Sequence, residues 1–268
     1  MASAIFNPNE LLLDRVRFVE EFNPSTSEIM GRYTQIEDPT LETSSDATDV
    51  VDAIGTPIHT FYRNQQGTFG FSNSLHSVDL FASQFGSEKV LATEDSKIKV
   101  PVSETITIGK GGKVILKYTP VGVAGAEVKY VKVINDNASF GETYEVSASE
   151  GDGKFTIDAG TKTITLPSNV TGKVFVSYYK ESQRAVKITK DTDGMPPVRE
   201  LHIHVIFRDP CDANLKYSGV IVCPRAQIDP SSVSINLTSD GKHAASYKLQ
   251  RPYCDSETKL FDIIIDGE

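Results

Sequence analysis

The chain has 268 residues, 39% of them hydrophobic, and its 27 Lys and Arg against 36 Asp and Glu give a formal net charge of −9. That length and apolar content leave room for two compact domains with real cores and exclude a fibrous or disordered chain. The acidic balance argues against a conventional nucleic-acid binder, because affinity for a phosphate backbone comes from Lys and Arg releasing counterions; the same sign suits a surface that nucleic acid must pass without sticking.

In chain order, the first eight residues, Met-Ala-Ser-Ala-Ile-Phe-Asn-Pro, have neither the basic start nor the apolar run of a signal peptide. No stretch approaches the roughly 18 apolar residues of a spanning helix, so the expectation is a protein without membrane insertion that is kept in a cytosol-like space or leaves it without a signal. Residues 15–22 and 28–36 flank the turn formers Asn-Pro-Ser-Thr-Ser and read as a hairpin, with a short helix over 11–22 as the competing reading. The acidic, polar stretch 37–49 reads as a loop that orders against a partner. Residues 49–62 and 68–71 read as two strands of a second hairpin, joined through Arg-Asn-Gln-Gln-Gly with Gly67 supplying a positive φ. In 72–86, Leu75, Val78, Ala82 and Phe85 fall on one face of a helix capped by Ser72 or Asn73 and stopped by Gly86.

A compositional seam follows. From about residue 99 to 187 there are 12 Lys and Arg against 9 Asp and Glu, a net of +3, whereas the remainder carries 15 against 27, a net of −12. This near-neutral insert reads as seven short strands, at 105–108, 114–118, 128–133, 144–147, 155–158, 163–166 and 174–179, separated by Gly, Asn and Asp turns. Such spacing predicts a small β-sandwich whose two ends lie close together. The expected organisation is therefore 1–98 and 190–268 as one domain, interrupted by 99–189. Beyond the insert, Leu201, Ile203, Val205 and Phe207 alternate with His202, His204, Ile206 and Arg208, as in a strand with one buried face. Further strands are predicted at 217–223, 232–237, 245–249 and 260–265.

Candidate chemistry is sparse. His202 and His204 share a strand face near Asp209, Cys211, Asp212 and Cys223, but the short Cys and His pairings of metal sites are missing, so they read as surface or interface residues. Gly109-Lys-Gly-Gly-Lys113 lacks the spacing and the following helix of a phosphate loop and reads as a hairpin turn. The acid pairs Asp49 with Asp52 and Glu37 with Asp38 read as solvated charge. Cys211, Cys223 and Cys254 are an odd set expected to be free, mostly buried thiols. Neither an enzyme, a metal nor a cofactor is expected.

The phrases Tyr33-Thr-Gln-Ile-Glu-Asp-Pro-Thr-Leu41, Gly67-Thr-Phe-Gly-Phe-Ser72, Arg208-Asp-Pro-Cys211, Tyr217-Ser-Gly-Val-Ile-Val-Cys-Pro-Arg-Ala226, Thr238-Ser-Asp-Gly-Lys242 and Leu260-Phe-Asp-Ile263, together with the helix at 73–86, resemble the major tail tube protein family of tailed bacteriophages. The resemblance covers both halves of the acidic body. It implies a mainly β fold: a barrel-forming tail-tube sandwich with one flanking helix, here with an insert that resembles an immunoglobulin-like sandwich. It further implies homo-oligomeric rings, usually hexameric, stacked into a virion tail tube assembled in the host cytoplasm. Hairpins from neighbours would line a channel that DNA crosses without specific binding, and tape-measure and tail-terminator proteins would be partners. On these positions the barrel hairpin would hold Asp49, Asp52, Phe61, Phe69 and Phe71, the outer helix Leu75, Val78, Ala82 and Phe85, and residues 37–46 a loop to the adjacent ring. Phe69→Asp would then abolish tubes. An outward insert favours a long, non-contractile tail, as in siphoviruses. Two rival readings are a capsid decoration or head–tail joining protein, and a carbohydrate-binding tail adhesin using exposed aromatics such as Tyr178 and Tyr179.

Overall fold

The computed structural model describes residues 6–149, 151–212, 214–238, 241–253 and 258–267. The chain opens with β1 (Leu12–Phe22), β2 (Ile29–Tyr33), β3 (Ile36–Val51), β4 (Pro57–Asn73) and α1 (Val78–Phe85). It continues with β5 (Val90–Leu91), β6 (Ile98–Thr107), β7 (Lys113–Ile115), β8 (Tyr130–Ile134), β9 (Phe140–Val146), β10 (Lys154–Asp158), β11 (Thr163–Thr165), β12 (Lys173–Ser182) and β13 (Val186–Lys187). Last come β14 (Val198–Arg208), β15 (Lys216–Ile228), a 3-10 turn at Pro230–Ser232, β16 (His243–Leu249) and β17 (Asp262–Asp266). The fold is mainly β, with one α-helix among the described residues, and no helix there is long and apolar enough to cross a membrane. It divides into two compact units, Met1–Lys89 with Ile188–Glu268, and Val90–Lys187.

The first unit is an antiparallel sheet in the order β2-β1-β14-β15-β16-β4-β3, with β17 added alongside β15. The first hairpin forms as the strand reading expects, and the helix alternative for 11–22 fails because β1 pairs with β14 from Leu12 to Phe22 and its burial alternates from Phe18 to Phe22, placing Val19 and Glu21 inward. In β14 the buried positions are Leu201, Ile203 and Val205, with His202 and His204 on the other face. Leu201 and Ile203 join Val19, Phe69, Phe71, Leu80 and Tyr247 in one core.

Three readings of this unit are corrected. Residues 37–49 are not a loop: they lie in β3, paired with β4 from Ile36 opposite Asn73 to Val51 opposite Pro57. Most of this strand is exposed on both faces, so no apolar alternation marks it, and Pro39 is accommodated because β3 is an edge. The reversal is not at 63–67 but at 52–56, where Asp52 Oδ1 accepts from the Ile54 and Thr56 N–H groups (both 2.9 Å) and Gly55 takes φ +88°. β4 runs straight through Gly67, where a Cβ would come within 3.0 Å of Leu249 Cδ1; the positive φ of that segment belongs to Asn64, at a bulge in the pairing. Finally, 232–237 forms no strand; a 3-10 turn and one bridge from Ile235 to His243 stand there.

The helix is also shorter than predicted. Ser77, not Ser72 or Asn73, caps it by accepting from the Leu80 N–H (3.4 Å), and Gly86 ends it at φ +65°, where a Cβ would lie 2.0 Å from the Met195 carbonyl oxygen. Its buried residues are Leu80, Ser83 and Gln84. The face read from periodicity is the wrong one: Leu75 precedes the helix and is exposed, Val78 is exposed, and Ala82 and Phe85 are half-buried.

The second unit has the strand order β6-β12-β8-β9-β10-β11-β7, antiparallel except for a short parallel contact between β9 and β10. Each of the seven predicted strands of this segment has its counterpart here. Val114, Val131, Phe155, Ile164, Val174 and Val176 are among its core residues. At its base β5 and β13 pair, Val90 opposite Lys187 and Leu91 opposite Val186, so the segment begins and ends on adjacent strands.

Candidate functional site

The site with the clearest physical signature is an arm. Pairing of β4 with β16 stops at Gly67 opposite Leu249, so the outer part of the β3–β4 hairpin, 44–66, is a two-stranded ribbon without a strand on either side among the described residues. A ribbon of that kind is marginal in water unless its own side chains hold it. Here Thr60 Oγ1 donates to Asp49 Oδ1 (2.6 Å), Asn64 Nδ2 donates to Asp46 Oδ2 (2.9 Å), and His59 meets Phe61 edge-on at 4.6 Å. Arg63 lies 5.6 Å from the Phe61 ring centroid.

The arm displays apolar surface that the subunit does not use. Val50, Val51, Ile58, Phe61 and Tyr62 are all exposed, and Ile54 at the tip is 87% accessible. The hairpin's carboxylates Glu37, Asp38, Glu42, Asp46, Asp49 and Asp52 have one cation of the hairpin itself beside them in sequence, Arg63, and Lys242 of the neighbouring segment pairs with Glu37 and Asp38. Among the strand edges of this unit that have no strand partner in the described residues are the outer edge of β3, the Pro57–Gln66 part of β4, and β1 before Val19, where β2 begins to pair. Unpaired N–H and C=O rows of this length template pairing with another chain.

The five residues expected in the barrel hairpin separate into two groups. Asp49, Asp52 and Phe61 belong to the arm, whereas Phe69 (2% exposed) and Phe71 (3% exposed) lie in the first unit's own core. Ile54, Ile58 and Tyr62 were missed; the signal available was Val-Val-Asp-Ala-Ile-Gly-Thr-Pro-Ile at 50–58, a turn framed by β-branched residues.

Beneath the helix lies a polar clamp. Glu21 is fully buried; Ser83 Oγ donates to its Oε2 (2.6 Å) and the Tyr247 hydroxyl donates to its Oε1. Burial, then the charge of Glu21, holds the Tyr247 and Tyr33 hydroxyls well above the usual tyrosine range. Nearby, the Ser77 N–H donates to His243 Nδ1 (3.3 Å) and Gln84 Oε1 sits 2.9 Å from His243 Nε2. Nδ1 accepts, so Nε2 carries the proton and donates, which fixes a neutral ring; burial pushes its pKa down to about 4.

The other candidates resolve plainly. His202 Nε2 meets Glu200 Oε1 at 2.8 Å and His204 Nε2 meets Glu20 Oε2 at 3.2 Å, with His204 stacked on Phe18 at 4.2 Å. Among the described residues no group of three or more His, Cys, Asp or Glu is placed to hold a metal. Cys223 is buried but Cys211 is exposed, against expectation, and Cys254 and residues 239–240 lie outside the described residues. The 109–113 segment joins β6 to β7 with Gly111 and Gly112 at positive φ. Tyr178, expected to be exposed, is a core residue whose hydroxyl donates to Glu104 Oε1 (2.5 Å); Tyr179 is exposed.

A mainly β subunit bearing an unpartnered hairpin arm and bare strand edges has the features of a self-assembling structural protein. Residues 12–253 match the model of the YomU/Tube protein family, and the chain belongs to that family as a phage tube-like structural protein. No individual curated protein matches it.

Proposed function

We propose that the chain polymerises into stacked homo-oligomeric rings that form a phage tail tube, the channel for DNA ejection. The observation that carries this reading is the arm: a ribbon with two bare edges and exposed apolar side chains, which closure into a barrel with neighbouring arms would satisfy. Rings of six are the expected symmetry, by resemblance to tail tube proteins. The excess of carboxylates on the hairpin supports a lumen that repels passing DNA. The unit Val90–Lys187 acts in this reading as an immunoglobulin-like module outside the tube, which favours a non-contractile tail in the virion. Tape-measure and terminator proteins of the tail are the remaining proposed partners.

Negative-stain electron microscopy of the full chain over a concentration series tests the reading. Hollow tubes or stacked rings with a duplex-wide bore and outward knobs are expected. Particles that stay monomeric alone but coat preformed capsids would replace it with the decoration reading.

A further inference from the structure

The unit Val90–Lys187 contains a cleft of about 600 Å³ walled by Lys97, Lys162, Lys180 and Arg184 around Tyr118 and Glu181. One ion pair is formed there among the described residues, Lys97 to Glu181 at 3.7 Å; Lys162, Lys180 and Arg184 make none. Lys180 Nζ stands 3.5 Å from the Tyr118 ring centroid and Lys117 Nζ 5.3 Å from it. These cations, Lys117 first, hold the Tyr118 hydroxyl below its ordinary pKa. Gathering uncompensated like charges around a concave surface opposes folding, and an anionic ligand would relieve it.

A second hollow of about 440 Å³ adjoins the first through Val121, which lines both and whose N–H donates to the Tyr179 carbonyl (2.8 Å). It is lined by Val123, Tyr130, Phe175 and Tyr179, with both tyrosines more than half exposed. Glu127 lines it too, and its Oε2 is buried without a hydrogen-bond partner. Apolar ring faces beside an acceptor that lacks a donor match the alternating C–H and O–H surface of a sugar. In the cationic cleft, Thr119, Ser182 and Gln183 add hydroxyl and amide groups.

We propose that this unit binds an anionic saccharide chain, its charged groups in the lysine and arginine cleft and a sugar ring on the tyrosine-lined hollow. The carboxylates of Glu181 and Glu127 accept from sugar hydroxyls, donors that the backbone of duplex DNA does not offer. Lys180 also caps one face of the Tyr118 ring, which closes that face to a stacking base. The site lies within one unit and does not rest on the tube reading.

The test is binding of the full chain at about 150 mM salt to polygalacturonate, which carries carboxylates, and phosphomannan, which carries phosphates, beside neutral dextran and short duplex DNA. Saturable binding to either anionic polysaccharide is expected, weakened about tenfold or more by Lys162→Glu with Arg184→Glu and also by Tyr130→Ala with Tyr179→Ala. Lys110→Glu with Lys154→Glu, the same charge change away from the cleft, should leave it unchanged, and thermal melts verify that every variant is folded. The proposal is overturned if neither polysaccharide binds, if duplex DNA or dextran binds equally well, or if the control pair weakens binding as much as the cleft pair. Loss of binding in variants that still form tubes would separate this site from assembly.

Discussion

His243 ties the Ser77 cap and Gln84 of α1 to β16, and its chemistry sets a pH window. The ring is neutral in the fold with a pKa of about 4, against an ordinary 6.5 once unfolded. As pH falls below about 6.5 the unfolded chain takes up the proton first, so the contribution is full above 6.5 and is lost progressively down to about 4. The loss is on the order of 3 kcal/mol, and a urea titration of His243→Gln against the parent should show a flatter stability profile between those values. Asp229, held down to about 2 by Ser231 and Lys248, acts in a separate window below 3.8. A second expectation concerns Tyr247→Phe, which leaves the buried Glu21 with one donor fewer and should lower stability by roughly 1–3 kcal/mol in the same assay. Strand alternation puts Glu21 on the inward face with Val19, but its partners Ser83 and Tyr247 stand 62 and 226 positions away. No local pattern reveals such a pairing.

At the level of elements, the arm decides which substitutions report on assembly. Phe69→Asp places a carboxylate in the subunit core beside Phe71 and Tyr247, so it should unfold the first unit and says nothing about tubes. Tyr62→Asp, on the exposed ribbon, should keep the unfolding free energy of the isolated subunit within the change expected of a surface site, about 0.5 kcal/mol, while abolishing tubes in micrographs. Tubes of normal yield from that variant would sink the arm's role. The strands of the second unit were legible because each has one buried and one wet face. β3 was not, since a ribbon exposed on both sides needs no apolar period, and its Thr, Ser and Asp residues mimic loop composition. α1 was half legible: Gly86 gave its end, but polar Ser83 and Gln84 occupy buried positions that a hydrophobic count assigns to the opposite face.

At the level of the whole molecule, each unit has its own core, and the paired β5 and β13 bring the two ends of the second unit to neighbouring strands. Residues 90–187 expressed alone should therefore unfold in one cooperative transition in calorimetry, and a chain with 90–187 replaced by a short Gly-Ser turn should retain the other transition; a broad, non-cooperative melt of the excised segment would contradict this. The charge seam read from the sequence, 99–187, falls inside the second unit, whose compact boundary begins earlier at Val90 because the two-residue clasp of β5 and β13, which no residue pattern announced, belongs to it. The arm's carboxylates have a kinetic consequence as well. The surface left free to pair carries three carboxylates, Asp46, Asp49 and Asp52, against Arg63 alone, so two free subunits meet against a barrier that dissolved ions lower. In the proposed tube, polymerisation would thus be timed by ionic strength: slow in dilute buffer, faster as salt thins the repulsion, with Asp46, Asp49 and Asp52 acting first as a brake and afterwards as the lining.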